Sequence, residues 1–190
     1  MKKLNLLFVA LIGASTLTFT SCTDECKDVV CENGGTCDEE TGACDCPANF
    51  YGESCETECI NGTYADGACT CDAGYEGDGC SIESREDMIA SYTVADACSS
   101  SGAASFSVTV SKSSNSADGI LISNFWGAFI NQVTATVDGD NITIPSQDPD
   151  NDGYLVSGNG TYSNGTITLT YSVTDPGNGV DNCNSTWTKN

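Results

Sequence analysis

The stretch Cys44-Asp45-Cys46-Pro47-Ala48-Asn49-Phe50-Tyr51-Gly52-Glu53-Ser54-Cys55 sets the reading of the front of this chain. Working outward, Cys26, Cys31 and Cys37 precede it, so that six cysteines stand at gaps of four, five, six, one and eight residues. Asn33-Gly34-Gly35-Thr36 fills the turn before Cys37, and Gly52 suits a tight turn where a side chain would clash. About thirty residues cannot bury enough apolar surface to fold unaided, so crosslinks must restrict the unfolded state. A second copy follows. Cys71-Asp72-Ala73-Gly74-Tyr75-Glu76-Gly77-Asp78-Gly79-Cys80 repeats the spacing of Cys46 to Cys55, Cys69 matches Cys44, and Cys59-Ile60-Asn61-Gly62 matches Cys31-Glu32-Asn33-Gly34. Counterparts of Cys26 and Cys37 are missing from the copy.

Six cysteines alone allow fifteen pairings. The motif resembles an epidermal-growth-factor-like (EGF-like) module over its whole length, and the resemblance implies Cys26–Cys37, Cys31–Cys44 and Cys46–Cys55. The two cysteines absent from the copy form one bridge in that family. The copy is therefore expected to keep Cys59–Cys69 and Cys71–Cys80, with no orphan thiol in an oxidising compartment. Calcium-binding members of the family carry an acid or amide where this chain has Cys22, and no calcium is expected in the module.

The chain has 190 residues and 13 cysteines, a density that fits a secreted, disulfide-built protein. Thirteen is odd, so one thiol needs a separate role. Met1-Lys2-Lys3 followed by the apolar run Leu4 to Leu17 reads as a signal peptide over 1–21, too short for a good spanning helix. It ends Phe19-Thr20-Ser21-Cys22, which resembles a bacterial lipoprotein signal and implies lipidation of Cys22. Twelve cysteines then remain, an even number. Asp24-Glu25 resembles the surface-export signal of lipoproteins in the Bacteroidota. The expectation is an outer-membrane protein, lipid-anchored and exposed at the cell surface. A net charge of −21 speaks against nucleic acid and against anionic lipid as partners of the protein surface.

The domain reading is an EGF-like domain at 22–56, a degenerate second module at 57–81, a polar linker at 82–88 and a β domain at 89–190. In the last, Phe106, Val108 and Val110 alternate with Ser and Thr, as do Ile167, Leu169, Tyr171 and Val173. A period of two means strands with one face buried and one wet. Asn164-Gly165 and Asp138-Gly139 are two-residue hairpin signals. Eight strands are expected near 88–96, 103–111, 118–124, 127–137, 140–145, 153–163, 165–174 and 184–189. Cys98 and Cys183 are expected to pair, stitching the first strand to the region before the last, and ends that meet suggest a meander closed on itself. The fold class is thus all-β: disulfide-rich EGF-like modules plus a C-terminal antiparallel meander barrel, with a β-sandwich as the alternative. Ser91-Tyr92-Thr93-Val94, Ile144-Pro145-Ser146-Gln147, Gly158-Asn159-Gly160-Thr161 and Ile167-Thr168-Leu169-Thr170-Tyr171, with Cys183 near Trp187, resemble the small lipocalin-like (calycin-like) β domains of lipoproteins in the same bacterial group.

The chain has no histidine, no phosphate loop and no cysteine outside the bridge and lipid assignments, so no enzyme is expected and no cofactor. Asp148-Pro149-Asp150-Asn151-Asp152-Gly153 has the spacing of the first half of a calcium loop, but Asn159 stands where the bidentate Glu belongs. An acidic inter-strand loop is the preferred reading, with no metal. Phe125, Trp126 and Phe129 form an aromatic cluster that either packs a barrel end or forms a binding rim. The function expected is a non-catalytic, membrane-tethered surface protein whose EGF-like stalk presents the β domain to an extracellular protein or glycan. The alternative is a carrier with an apolar pocket inside the barrel.

Overall fold

The computed structural model describes residues 25–190; the signal peptide and Cys22 lie outside the described residues. Among the described residues extended backbone dominates, and the helical pieces are two single 3₁₀ turns, Glu86–Met88 and Phe125–Gly127.

In the front half the strands are short: β1 (Thr36–Cys37), β2 (Cys44–Asp45), β3 (Phe50–Tyr51), β4 (Thr57–Glu58), β5 (Gly62–Ala65), β6 (Ala68–Cys71), β7 (Tyr75–Glu76) and β8 (Ile82–Glu83). They pair as four antiparallel ribbons, β1 with β2, β3 with β4, β5 with β6 and β7 with β8. Bridges Cys26–Cys37, Cys31–Cys44, Cys46–Cys55, Cys59–Cys69 and Cys71–Cys80 hold them. The buried apolar side chains of this half are the cysteines Cys55, Cys59 and Cys80. The repeat extends to single hydrogen bonds. Asn33 Nδ2 donates to the Cys55 carbonyl, and Asn61 Nδ2 donates to the Cys80 carbonyl, each at 2.9 Å. Lacking one bridge, the copy keeps the same closing contact.

The back half is a single closed meander. Strands β9 (Ala90–Cys98), β10 (Gly102–Lys112), β11 (Gly119–Ser123), β12 (Val133–Asp138), β13 (Asn141–Gln147), β14 (Leu155–Ser163), β15 (Thr166–Thr174) and β16 (Val180–Lys189) each pair with their chain neighbours, and β16 returns to β9. This is the barrel; closure rules out the sandwich. All pairs are antiparallel, and no edge is left open. Cys98 and Cys183 lie opposite one another in the β9–β16 register and are bonded.

Several strand limits differ from the alternation read in the chain; the last strand, expected at 184–189, begins at Val180, because Val180 to Cys183 already pair with Thr174 to Tyr171 of β15. The segment 127–132 is not strand: the N–H groups of Gly127, Ala128 and Phe129 bond the Asn124 and Phe125 carbonyls in and after the 3₁₀ turn, and those of Ile130 and Asn131 donate to the Asp150 carboxylate. The hairpin after β12 closes on the Asp138–Asn141 pair, so Gly139 (φ 54°) takes the first central position and Asp140 the second. A glycine there is what a type II′ turn requires.

The barrel is filled. Inward side chains from all eight strands make one cluster that includes Tyr92, Val94, Val108, Ile120, Val137, Ile142, Val156, Leu169 and Trp187. Room for the larger ones comes from β14, whose inward positions include Gly158 and Gly160. A Cβ there would lie 2.5 Å from Tyr171 Cβ and 2.4 Å from Leu169 Cδ2, respectively. Phe125 closes one end, with its ring centroid 4.8 Å from Tyr171 and 5.8 Å from Trp187. Met88 closes the other end, its carbonyl accepting from the Tyr92 hydroxyl at 2.8 Å.

Candidate functional site

Up-and-down topology sorts the loops between two ends. One end, here called the base, holds the 113–118 loop, the two hairpins 139–140 and 164–165, and the entry of the chain from the second module. The distal end holds 99–101, 124–132, 148–154 and 175–179.

The base is a joint. Residues 82–88, expected as a polar linker, are packed instead: Ser84 and Arg85 are buried, the latter 6 % exposed, and Met88 is fully covered. Arg85 Nη1 donates to the carbonyls of Ser113, Ser116 and Gly119 in the 113–118 loop and at the start of β11, while Nε pairs with Glu83 at 3.1 Å. Lys112 pairs with Glu83 at 3.0 Å and with Glu86. The side-chain hydrogen bond from Lys112, then that from Arg85, holds the Glu83 carboxyl below its ordinary value. Gly74 lies so close to Ala117 and Asp118 that a Cβ would stand 2.4 Å from the Asp118 nitrogen. The joint between the two modules has the same plan. β4 folds back on β3 with Cys59 N–H bonded to the Asn49 carbonyl, and β8 folds back on β7 with Ser84 N–H bonded to the Gly74 carbonyl. The barrel therefore follows the second module much as the second follows the first. Tyr51 and Tyr64 stack across the first joint at 5.2 Å.

The distal end carries a cleft of about 360 Å³. Trp126 and Tyr154 form one wall, their ring centroids 6.3 Å apart, and Asp175, Asp181, Ser100 and Ser101 form another. Of the aromatic trio singled out in the chain, only Trp126 reaches this cleft. Phe125 and Phe129 are buried in the core and serve as the plug, which removes them as ligand contacts. The loop separates the three by an unusual backbone: Asn124 and Trp126 both take left-handed values, φ 56° and 58°. A bulky residue at positive φ costs roughly 1–3 kcal/mol and is held only where surroundings over-determine it. Here the turn drives Phe125 inward and leaves Trp126 half-buried at the mouth.

Carboxylates order the loops around the cleft. Asp181 accepts from Ser100 N–H at 2.7 Å and Ser99 Oγ at 3.2 Å on one oxygen, and from Ser101 N–H at 3.1 Å and Ser101 Oγ at 2.5 Å on the other. Burial pushes its carboxyl up, but these donors together outweigh burial and hold it below its ordinary value. Asp175 accepts from Gly177 and Gly179 N–H through one oxygen. Asp148 accepts from the N–H groups of Asp152 and Gly153, and Asp150 from those of Ile130 and Asn131, which hold its carboxyl below the usual range. The calcium-loop spacing is thus used for caps on backbone N–H groups. Among the described residues, the groups close enough to share a metal ion each contain bridged cysteines, whose sulfurs have no thiolate to offer.

Below the mouth lies a buried polar chain. Asp96, 5 % exposed, accepts from the Tyr171 hydroxyl at 2.5 Å and from Ser185 Oγ, which in turn accepts from Trp187 Nε1 at 2.6 Å. Burial, then the bond to Asp96, raises the Tyr171 hydroxyl well above its ordinary pKa. Burial likewise pushes Tyr92 up to about 12. All these groups are partnered, and none of them lines the cleft. The space an apolar-ligand carrier would need is occupied by these side chains.

Sequence reading missed Tyr154, Asp175 and Asp181, which are 27 residues apart along the chain at the extremes. Ser99-Ser100-Ser101-Gly102 and Asp175-Pro176-Gly177-Asn178-Gly179 were visible as turn chemistry, but their meeting depends on closure of the barrel.

Comparison with known proteins covers the front half. Residues 22–55 match the EGF-like domain family and residues 60–83 match the Teneurin-like EGF domain. The angiopoietin-1 receptor of Danio rerio is 43% identical over 44 residues, a match that covers 23% of this chain and 4% of the receptor. Taken with the fold, this defines the class: EGF-like modules joined to a closed eight-stranded antiparallel barrel, in a chain that spans a small part of the length of the receptor it matches.

Proposed function

We propose that this is a non-catalytic bacterial surface lipoprotein, tethered by an acyl-modified Cys22, in which the EGF-like pair is a stalk and the distal end of the barrel meets an extracellular partner. One observation carries the reading: the stalk enters at the base, through the Arg85 joint, while the aromatic and acidic cleft opens at the opposite end. A tether in front of Cys26 then points the cleft away from the anchoring membrane. Cysteine parity supports the anchor. Twelve of the 13 cysteines form six bridges, and the thirteenth is Cys22 within Phe19-Thr20-Ser21-Cys22. The absence of histidine from the chain and the engagement of the described cysteines support a non-catalytic role.

The test is mass spectrometry of the processed N-terminal peptide from a bacterial host, with detergent phase partition of the intact chain. The expected result is a diacylglyceryl thioether on Cys22 and detergent-phase recovery, both lost in Cys22→Ser. An unacylated Cys22 in the intact protein defeats the tether.

A further inference from the structure

We propose that the distal end of the barrel is a docking face for a protein partner that presents a Lys or Arg side chain among apolar residues, with the cation seated against Trp126 in the acidic cleft. The proposal deepens the display reading by naming the chemistry of the partner.

Three independent features meet there. The first is apolar. The large hydrophobic side chains exposed on the barrel are Ile130 (89 %), Leu155 (44 %) and Val180 (47 %). Ile130 lies in the 124–132 loop, Leu155 opens β14 and Val180 opens β16, so all three stand on the distal rim. Exposed large apolar groups gathered at one end of a barrel, one of them, Val180, lining the cleft, suit a protein-contact surface.

The second is charge. Asp148, Asp150, Asp152, Asp175 and Asp181 all lie at this end. The six Lys and Arg residues of the chain are Lys2, Lys3, Lys27, Arg85, Lys112 and Lys189. Of those in the barrel and its joint, Arg85, Lys112 and Lys189 belong to the base, where Lys189 Nζ bonds the Asp87 carbonyl. No cation on the four distal loops answers the carboxylates.

The third is how those carboxylates are engaged. Both oxygens of Asp148, Asp150 and Asp181 and one of Asp175 already accept loop N–H or Ser hydroxyl groups. Asp181 is filled by four donors, while Asp148, Asp150 and Asp175 each keep lone pairs free, and N–H dipoles do not cancel a full negative charge. A neutral sugar could bond to the free oxygen of Asp175 but would leave the net negative charge unanswered. A cation needs only the field, and the cleft adds the faces of Trp126 and Tyr154, which attract ammonium and guanidinium groups. A bare metal ion needs several oxygens converging on one point, and among the described residues the distal carboxylates form no such group by themselves.

The experiment titrates the full, disulfide-bonded chain with three probes: a Lys-Leu-Arg-Leu peptide, its Glu-Leu-Asp-Leu counterpart and a neutral hexasaccharide. Binding is followed by calorimetry and by tryptophan emission, where Trp126 reports the cleft and fully buried Trp187 reports the fold. The basic peptide is expected to bind alone, and its Kd to weaken at least tenfold between 50 and 500 mM NaCl, roughly as screening predicts. Asp175→Asn, which keeps an oxygen for the Gly177 and Gly179 N–H groups, should weaken it at least threefold with Trp187 emission unchanged. Trp126→Ala should weaken it about tenfold. Salt-independent binding, full affinity in Asp175→Asn, or silence from all three probes overturns the proposal. Saturation by the hexasaccharide instead also overturns it, while leaving the display reading intact; that reading stands or falls separately on Cys22.

Discussion

The two halves of this molecule reach order by opposite means. Residues 26–80 hold five bridges and bury little besides their own cysteines; residues 88–189 hold one bridge around a continuous apolar cluster. In the first half, strands of two to four residues carry too few ladder bonds and too little apolar area to offset backbone entropy, so the crosslinks act by restricting the unfolded chain. In the second, burial of one face of every strand does the same task non-covalently. The difference teaches where function can sit. A stapled stalk needs no interior and tolerates an exposed surface, whereas the barrel can devote an entire end to loops because its core is complete without them.

The sharpest way to break the comparison is reduction. Dithiothreitol at neutral pH should abolish hydrogen-exchange protection throughout 26–80. The barrel should lose about 4–5 kcal/mol, the chain-entropy value for the 85-residue separation of Cys98 and Cys183, and still melt cooperatively with Trp187 buried. Protection that survives in the front half, or a barrel that unfolds with it, would show that the halves are not built differently.

Next in size is the contrast within the aromatic trio. Phe125→Ala removes the plug and should cost about 3–5 kcal/mol by denaturant unfolding. Trp126→Ala should stay within about 1 kcal/mol, because that ring lies only partly against the core. Equal costs would mean that Trp126 is core after all.

The smallest effect concerns the joint that binds the halves together. Arg85→Met removes the side-chain donor shared by the Ser113, Ser116 and Gly119 carbonyls; Ser116 and Gly119 keep backbone N–H partners, so the cost should be about 1 kcal/mol, near the lower end for a lost buried bond. Small-angle scattering should then show a wider spread of stalk orientations. The ionic part of the joint has a definite pH sense. The Glu83 carboxyl is lowered in the folded protein, so its contribution is complete above the ordinary carboxylate pKa and is lost as pH falls through the lowered value. The joint should hold unchanged from pH 7 to 5 and loosen only in stronger acid. Loosening near pH 6 would remove Glu83 as the cause.

Much was legible because it is local. Strand alternation, the Asn164-Gly165 turn and the cysteine intervals are properties of neighbouring residues, and they gave eight strands and two modules within a few positions. The segment 127–132 was misread because its N–H partners are carbonyls of the 3₁₀ turn before it and the Asp150 carboxylate, some 20 residues away. The linker was misread because Arg85 looks like any polar residue until three carbonyls of the barrel surround it.

From the chain alone follow the covalent plan and the all-β class, since spacing and periodicity constrain backbone geometry directly. Only the tertiary structure decided that Phe125 points in and Trp126 out, that Asp181 meets the Ser99–101 turn, and that stalk and cleft occupy opposite ends. The first comes from the left-handed turn at Asn124 and Trp126, and the meeting of Asp181 with the Ser99–101 turn comes from closing β16 onto β9, a contact between segments some 90 residues apart that no local pattern encodes.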